Sequence, residues 1–155
     1  VTPYRSLIEH AAARYRLDPN LVEAVCIAES SGLTSAFRYE PGFYTRYLKG
    51  KPEYAGMIPQ RVSSSYGLLQ VMYTTAQQYG YQEPPEHLFV PETGLKYGCL
   101  HLAAMVDWAG GNVRQALAGY NGGKGNWKAD QPQRYASRVL ALYRSVELAH
   151  PAETV

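Results

Sequence analysis

Helix-start signals recur along this chain, and they constrain its fold more than any other feature. Thr2-Pro3, Asp18-Pro19, Pro91, Asn112 and Asp130 each precede a stretch of helical character. Such residues either accept a first-turn N–H or need no N–H partner of their own, so they favour helix starts. From these signals the helices are expected over residues 3–17, from Pro19 to a stop at Gly32, over 74–79, from Pro91 to about Trp108, through "NVRQALAGY", and over 131–148. No stretch alternates as a strand would over a useful length. The expected fold is mainly α and forms one domain over residues 1–155, because a chain of 155 residues can bury one proper core and is short for two.

Residues 33–66 break this rhythm. The segment is rich in aromatics, Gly, Pro and Ser, with a short helical piece around Tyr44–Leu48 and room for a small hairpin in 54–66. Connections of this length in compact domains usually serve function, so 33–66 is expected to be a groove-forming insertion.

Composition excludes several classes. Apolar residues make up 46% and charged residues 18%, which describes a globular chain. A net charge of +2 suits an acidic polymer, but no Lys/Arg cluster argues for nucleic acid. No apolar run approaches the roughly 18 residues of a membrane span, and no basic-then-apolar signal segment is present. The chain starts at Val1, which leaves room for a removed leader or neighbouring module. Cys26 and Cys99 lie on separate expected helices and lack metal-ligand spacing; two free buried thiols or one interhelical bridge both fit. His10, His87, His101 and His150 are scattered, so no metal or other cofactor is implied. Fourteen tyrosines offer flat faces with hydroxyls, useful either for gripping sugars or for packing.

The chemistry centres on "LVEAVCIAESSG", residues 21–32. Val22, Val25, Cys26 and Glu29 share one helical face, while Glu23 falls away from it and is expected to reach water. Glu29 thus combines an apolar face with the last turn of a helix, where carbonyl ends make the potential negative. Both effects disfavour its charged form and raise its pKa, so it can donate a proton to a leaving oxygen near neutral pH. That is what cleavage of a glycosidic bond requires. A glutamate that bends outward, or pairs with Arg38, is the other reading of the same position.

Three further stretches extend the pattern: "GLLQVM" at 67–72, "GYNGG" at 119–123, and Tyr135 early in the last helix. In this order, with Glu29-Ser30 ahead of them, they resemble the soluble lytic transglycosylase family, which shares its fold with goose-type lysozymes and cleaves bacterial peptidoglycan. The resemblance runs from about Tyr4 to Tyr143. It implies a single lysozyme-like (goose-type, SLT) helical domain with a substrate groove. It also implies that the chain cuts the β-1,4 bond between N-acetylmuramic acid and N-acetylglucosamine, outside the cytoplasm, in a periplasm, an envelope, a phage particle or a secretion machine. The partner would be peptidoglycan glycan strands, met by a monomer.

The resemblance also assigns roles. Glu29 is the single catalytic residue; Gln70 fixes a sugar acetamide or hydroxyl; Met72 lines the groove; Tyr120 and Asn121 face the cleft, Tyr120 orienting glutamate and substrate; Tyr135 positions the glutamate. Physical chemistry agrees with parts of this, since an amide such as Gln70 can donate and accept at once and Gly67 lets backbone approach a sugar. Departures from the family pattern are Leu69 for methionine, glycines at 119 and 122 that would loosen the loop, and three serines, Ser63, Ser64 and Ser65, for one acetamide-contacting place, with Ser65 entered for it. Glu40, in "RYEP", is either a partner of Arg38 or a residue that binds substrate or activates water. The aspartates offer no nucleophile, since Asp18 and Asp130 read as helix caps and Asp107 lies within a helix. A one-acid site favours a lyase giving a 1,6-anhydromuramyl end. A goose-type muramidase assisted by Glu40 is the alternative, and an inert wall-binding module the remaining one.

Overall fold

The computed structural model describes residues 3–151. Its α-helices are α1 (Arg5–Arg14), α2 (Pro19–Ser30), the short α3 (Pro41–Phe43) and α4 (Pro59–Val62), α5 (Tyr73–Gln78), α6 (Pro91–Trp108), α7 (Val113–Gly122) and α8 (Asp130–Ala149). Between them lies an antiparallel sheet of β1 (Phe37–Tyr39), β2 (Ser64–Tyr66) and β3 (Val71–Met72), in the order β1-β2-β3.

The local signals place most of the long helices. Asp18 accepts the Asn20 N–H at 2.8 Å and Pro19 begins α2. Asn112 accepts the Gln115 N–H at 3.0 Å ahead of α7. Helix α2 ends where Ser31 (φ 53°) and Gly32 (φ 76°) turn left-handed. Two expectations need correction. Helix α1 stops at Arg14 rather than near Leu17, because Arg16 takes a left-handed backbone with φ 58°. Asp130 makes no side-chain cap; it sits inside the first turn of α8, and Ala129 holds the cap position. The cap expected at Thr2 lies outside the described residues.

Helix α2 is the centre of the molecule, packed against α8 and α1, with α7 wedged between α6 and α8. Leu21, Val22, Ala24, Val25 and Cys26 are buried, and so is Glu23, at 0% exposure. The expectation that Glu23 reaches water is overturned. A helix enclosed on every side has no polar face for periodicity to reveal. Arg5 Nη1 of α1 stands 3.0 Å from the Glu23 carboxylate, and His150 Nε2, just past α8, stands 3.4 Å from it. Arg5 also donates to the Asn20 side chain at 2.8 Å.

The sheet also differs from the expected hairpin within 54–66. That span contributes β2 alone, whose partners lie on either side of it: Phe37 opposes Tyr66, and Tyr66 opposes Val71. The segment 67–70, "GLLQ", is the four-residue turn between β2 and β3, with left-handed backbone at Gly67 (φ 76°) and Gln70 (φ 50°). A Cβ on Gly67 would stand 2.7 Å from the Leu88 carbonyl oxygen. The glycine is therefore required by a close approach inside the protein. Gly119 and Gly122 loosen no loop. They lie in α7, where a Cβ would meet the Trp108 ring at 2.7 Å or Pro132 at 2.3 Å, so they let α7 sit close to α6 and α8. Both cysteines are buried and free.

Candidate active site

Glu29 lies in the last turn of α2, mostly withdrawn from water, with its carboxyl group beside the Tyr135 hydroxyl. Tyr135 belongs to the second turn of α8 and donates to Glu29 Oε2 at 3.3 Å, joining residues 106 apart in sequence. Burial pushes the Glu29 pKa up to about 7. The Tyr135 hydrogen bond opposes that rise, as do the positive charges of Arg38 and Arg138. Burial and the nearby Glu29 charge keep the Tyr135 pKa well above the usual phenol range, so at neutral pH this hydroxyl is a donor. The result is an acid divided between its two protonation states near neutrality, with groups at hand that favour each.

The turn 67–70 is held from three sides. The Ser30 hydroxyl, next to Glu29, stands 2.8 Å from the Leu68 carbonyl and 3.0 Å from that of Cys26, and it accepts the Gly32 N–H at 3.2 Å. The Tyr120 hydroxyl of α7 donates to the Leu69 carbonyl at 2.6 Å. The Gln70 amide nitrogen donates to the carbonyls of Ala36 (3.0 Å) and Gly67 (3.1 Å). The amide thus braces the turn with its two N–H groups, which leaves its oxygen to act elsewhere. Three stretches far apart in sequence, Glu29-Ser30, 67–70 and Tyr120, are thereby joined through main-chain oxygens.

The serines separate by their hydroxyl partners. Ser63 donates to the Glu40 carbonyl at 2.8 Å and Ser64 to that of Gln60 at 2.5 Å. Ser65 instead opposes Arg38 on β1 and Met72 on β3. Residues directly opposite share a face of the sheet, so Arg38, Ser65 and Met72 form one row. Through Arg38 that row carries positive charge toward Glu29. Glu40 follows β1 and its carboxylate pairs with Arg38 Nε at 3.1 Å. Asn121 is exposed at the end of α7.

The sequence reading missed the turn-holding part of Ser30, the row position of Arg38, and Arg138, one turn beyond Tyr135 on α8. Only the last had a readable signal, its i+3 spacing from Tyr135. His101, one of four histidines scattered along the sequence, supports Tyr120 from α6. Its ring centroid lies 5.1 Å from that of Tyr120, and its Nδ1 is 2.9 Å from the Tyr79 hydroxyl. Burial lowers its pKa to about 4, so it is neutral in this packing.

Among the described residues no group of three or more His, Cys, Asp or Glu could hold a metal ion, and no helix is long and apolar enough to cross a membrane. Helices packed around a short antiparallel sheet, with a withdrawn glutamate at the end of the central helix, define the class of lysozyme-like domains. The chain belongs to the transglycosylase SLT domain family, whose model matches residues 6–140. Its fold is similar to that of an inactive mutant of lytic transglycosylase Slt from Pseudomonas aeruginosa (TM-score 0.74, 18% identity, 98% of this chain and 25% of that one). It is also similar to the 70 kDa soluble lytic transglycosylase of Escherichia coli (TM-score 0.73, 18% identity, 96% and 24%) and to the 70 kDa soluble lytic transglycosylase in complex with bulgecin A (0.74, 18%, 97% and 25%). The chain spans about a quarter of the length of these proteins.

Proposed function

We propose that this chain is a peptidoglycan lytic transglycosylase domain in which Glu29 is acid and then base. The observation that carries the reading is the Glu29 carboxyl, its pKa raised to about 7 by burial, within 3.3 Å of the Tyr135 hydroxyl. In the first step the protonated Glu29 gives its proton to the oxygen linking N-acetylmuramic acid to N-acetylglucosamine, and the C1–O bond breaks. The substrate's own acetamido oxygen stabilises the cationic C1. The Glu29 carboxylate, favoured by Tyr135, Arg38 and Arg138, then takes the C6 hydroxyl proton while O6 attacks C1. The 1,6-anhydro ring closes, Glu29 is protonated again, and no water is consumed. One group serves both steps best when its pKa lies near the working pH.

The remaining site residues take roles around this acid. Tyr135 positions Glu29, and Tyr120 fixes the turn that borders it. Gln70 through its amide oxygen, Ser65 and Met72 along the sheet face, and Asn121 at the end of α7 contact the glycan. The family membership and the fold of lytic transglycosylases support the substrate class. The pairing of Glu40 with Arg38 at 3.1 Å supports a lyase over a muramidase, because it gives that carboxylate a partner other than an attacking water. Family location further suggests work on the cell wall outside the cytoplasm.

Mass spectrometry of fragments released from purified peptidoglycan tests the reaction. Anhydromuramyl ends, one water lighter than reducing ends, are expected; reducing ends throughout would establish hydrolysis instead. Glu29→Gln is expected to lower the rate at least 100-fold, the scale of a lost general acid, while leaving wall binding intact.

A further inference from the structure

A groove between α1 and the start of α6 shares no residue with the candidate active site. Its cavity, about 440 Å³, is bordered by α1, by Tyr81 and Glu83 after α5, and by the first two turns of α6. That volume lies within the range of pockets that bind small ligands. Leu7, Ala11 and Leu95 give it an apolar lining, and the rings of Tyr15, Tyr81 and Tyr97 border it. Tyr81 and Tyr97 meet edge to face with 5.0 Å between centroids, and Tyr81 is fixed by donating to the Pro84 carbonyl at 2.5 Å. A second, more open recess of about 370 Å³ runs along Ser6, Glu9, His10 and Ala13, and His10 borders both. Together the two follow α1 from Ser6 to Tyr15, roughly 14 Å at ~1.5 Å per residue. An extended peptide of about four residues has that length.

Charges of both signs stand around this apolar lining. The Arg14 guanidinium lies 5.7 Å from the Tyr15 ring centre, and the Lys96 ammonium 5.3 Å from that of Tyr97. Each cation is thus set against a ring, and among the described residues neither pairs with an acid. Glu92, in the first turn of α6, pairs with no base among them. Glu83 has the exposed His87 at 3.7 Å. An uncharged sugar satisfies none of these groups, and an acidic polymer is repelled by Glu83 and Glu92. A ligand that carries both carboxylates and an ammonium complements all of them, with the planar Arg14 fork suited to a carboxylate.

We propose that this groove binds a short extended peptide with free carboxylates and an ammonium group, the chemistry of the peptide stems of the bacterial wall. Arg14 and Lys96 meet the carboxylates, Glu83 and Glu92 meet the ammonium, and the Leu7, Ala11 and Leu95 surface takes small apolar side chains. Helix α1 packs against α2, whose last turn carries Glu29, so a stem held here ties the wall to the domain that cuts it. A second contact on the same polymer raises the effective concentration of glycan at Glu29 without entering the chemistry. The proposal rests on the peptidoglycan reading and deepens it, because it makes the stems a determinant of affinity for the wall.

Isothermal titration of the free tetrapeptide alanyl-γ-glutamyl-diaminopimelyl-alanine into the chain tests the site. One-to-one binding with Kd below about 1 mM is expected. Amidating the carboxylates of the peptide should weaken it about tenfold, and so should the double variant Arg14→Gln, Lys96→Gln, at two exposed positions. On intact peptidoglycan the double variant should raise KM roughly tenfold at constant kcat, while on glycan strands stripped of stems both constants stay unchanged. No binding of the tetrapeptide, or equal affinity for its amidated form, would overturn the proposal. Anhydromuramyl ends without tetrapeptide binding would remove the stem site and leave the lyase reading standing. Tetrapeptide binding with reducing ends throughout would do the reverse.

Discussion

At Glu29, the proposed catalytic role and the stability of the fold pull in opposite directions. Its folded pKa, about 7, exceeds its ordinary 4.5. Folding therefore favours the protonated carboxyl, and the associated stability is complete below about pH 4.5 and lost as pH rises through 7. Replacing Glu29 by Gln should make the protein more stable above pH 7, by about 2 kcal/mol after allowing for partial solvent contact, with the difference vanishing toward pH 4. Thermal melts of the two proteins across that range measure it. The same residue predicts that kcat/KM falls as pH rises through about 7, because the proposed first step needs the protonated acid. Tyr135→Phe removes a bond that favours the carboxylate, so this falling limb should move to higher pH while kcat drops roughly tenfold. A pH–rate profile of the variant decides it; a limb that stays in place would remove Tyr135 from control of the acid. The glutamate itself was legible from its helical face and position. Its contact with Tyr135 was not, since no periodicity links residues 106 apart; only the family resemblance put the two together.

Among elements, the turn 67–70 is the one whose sequence had the least obvious reason. Its glycine is demanded by the Leu88 carbonyl, 2.7 Å from where a Cβ would stand, and by a backbone φ of 76°. Gly67→Ala should therefore cost about 2–4 kcal/mol by combining left-handed strain with a clash against main chain. It should also lower activity more than it lowers affinity for peptidoglycan, because the turn links Ser30, Tyr120 and Gln70. Denaturant melts and steady-state kinetics on the same preparation separate the two effects. Helix starts such as Asp18 and Asn112 were readable because a cap acts within three residues. The sheet was not. Strands of two or three residues are too short to alternate, and Phe37 finds its partner at Tyr66 through tertiary packing alone.

For the whole molecule, the buried Glu23 group is the fastening that local reasoning could not foresee. It joins α1 through Arg5, α2 through Glu23 itself, and the end of α8 through His150, so it holds together the helices that carry Glu29 and Tyr135. Arg5→Met takes the 3.0 Å partner from a carboxylate that is 1% exposed and should lower stability by about 3 kcal/mol, with His150 still beside Glu23. The double variant Arg5→Met, Glu23→Met should recover much of that loss, since apolar replacement of a buried pair is often close to neutral. A double-mutant cycle by chemical denaturation checks it, and additive losses would show that the two residues act separately.

The two thiols have a practical sequel. Cys26 and Cys99 are enclosed and unjoined, and burial raises the pKa of both thiols, that of Cys99 to about 12. In the folded state an oxidant meets no exposed thiolate, and a reductant has no disulfide to open. The helices of this fold are thus held without a covalent cross-link between Cys26 and Cys99, and both sulfurs are shielded from thiol chemistry for as long as the chain stays folded.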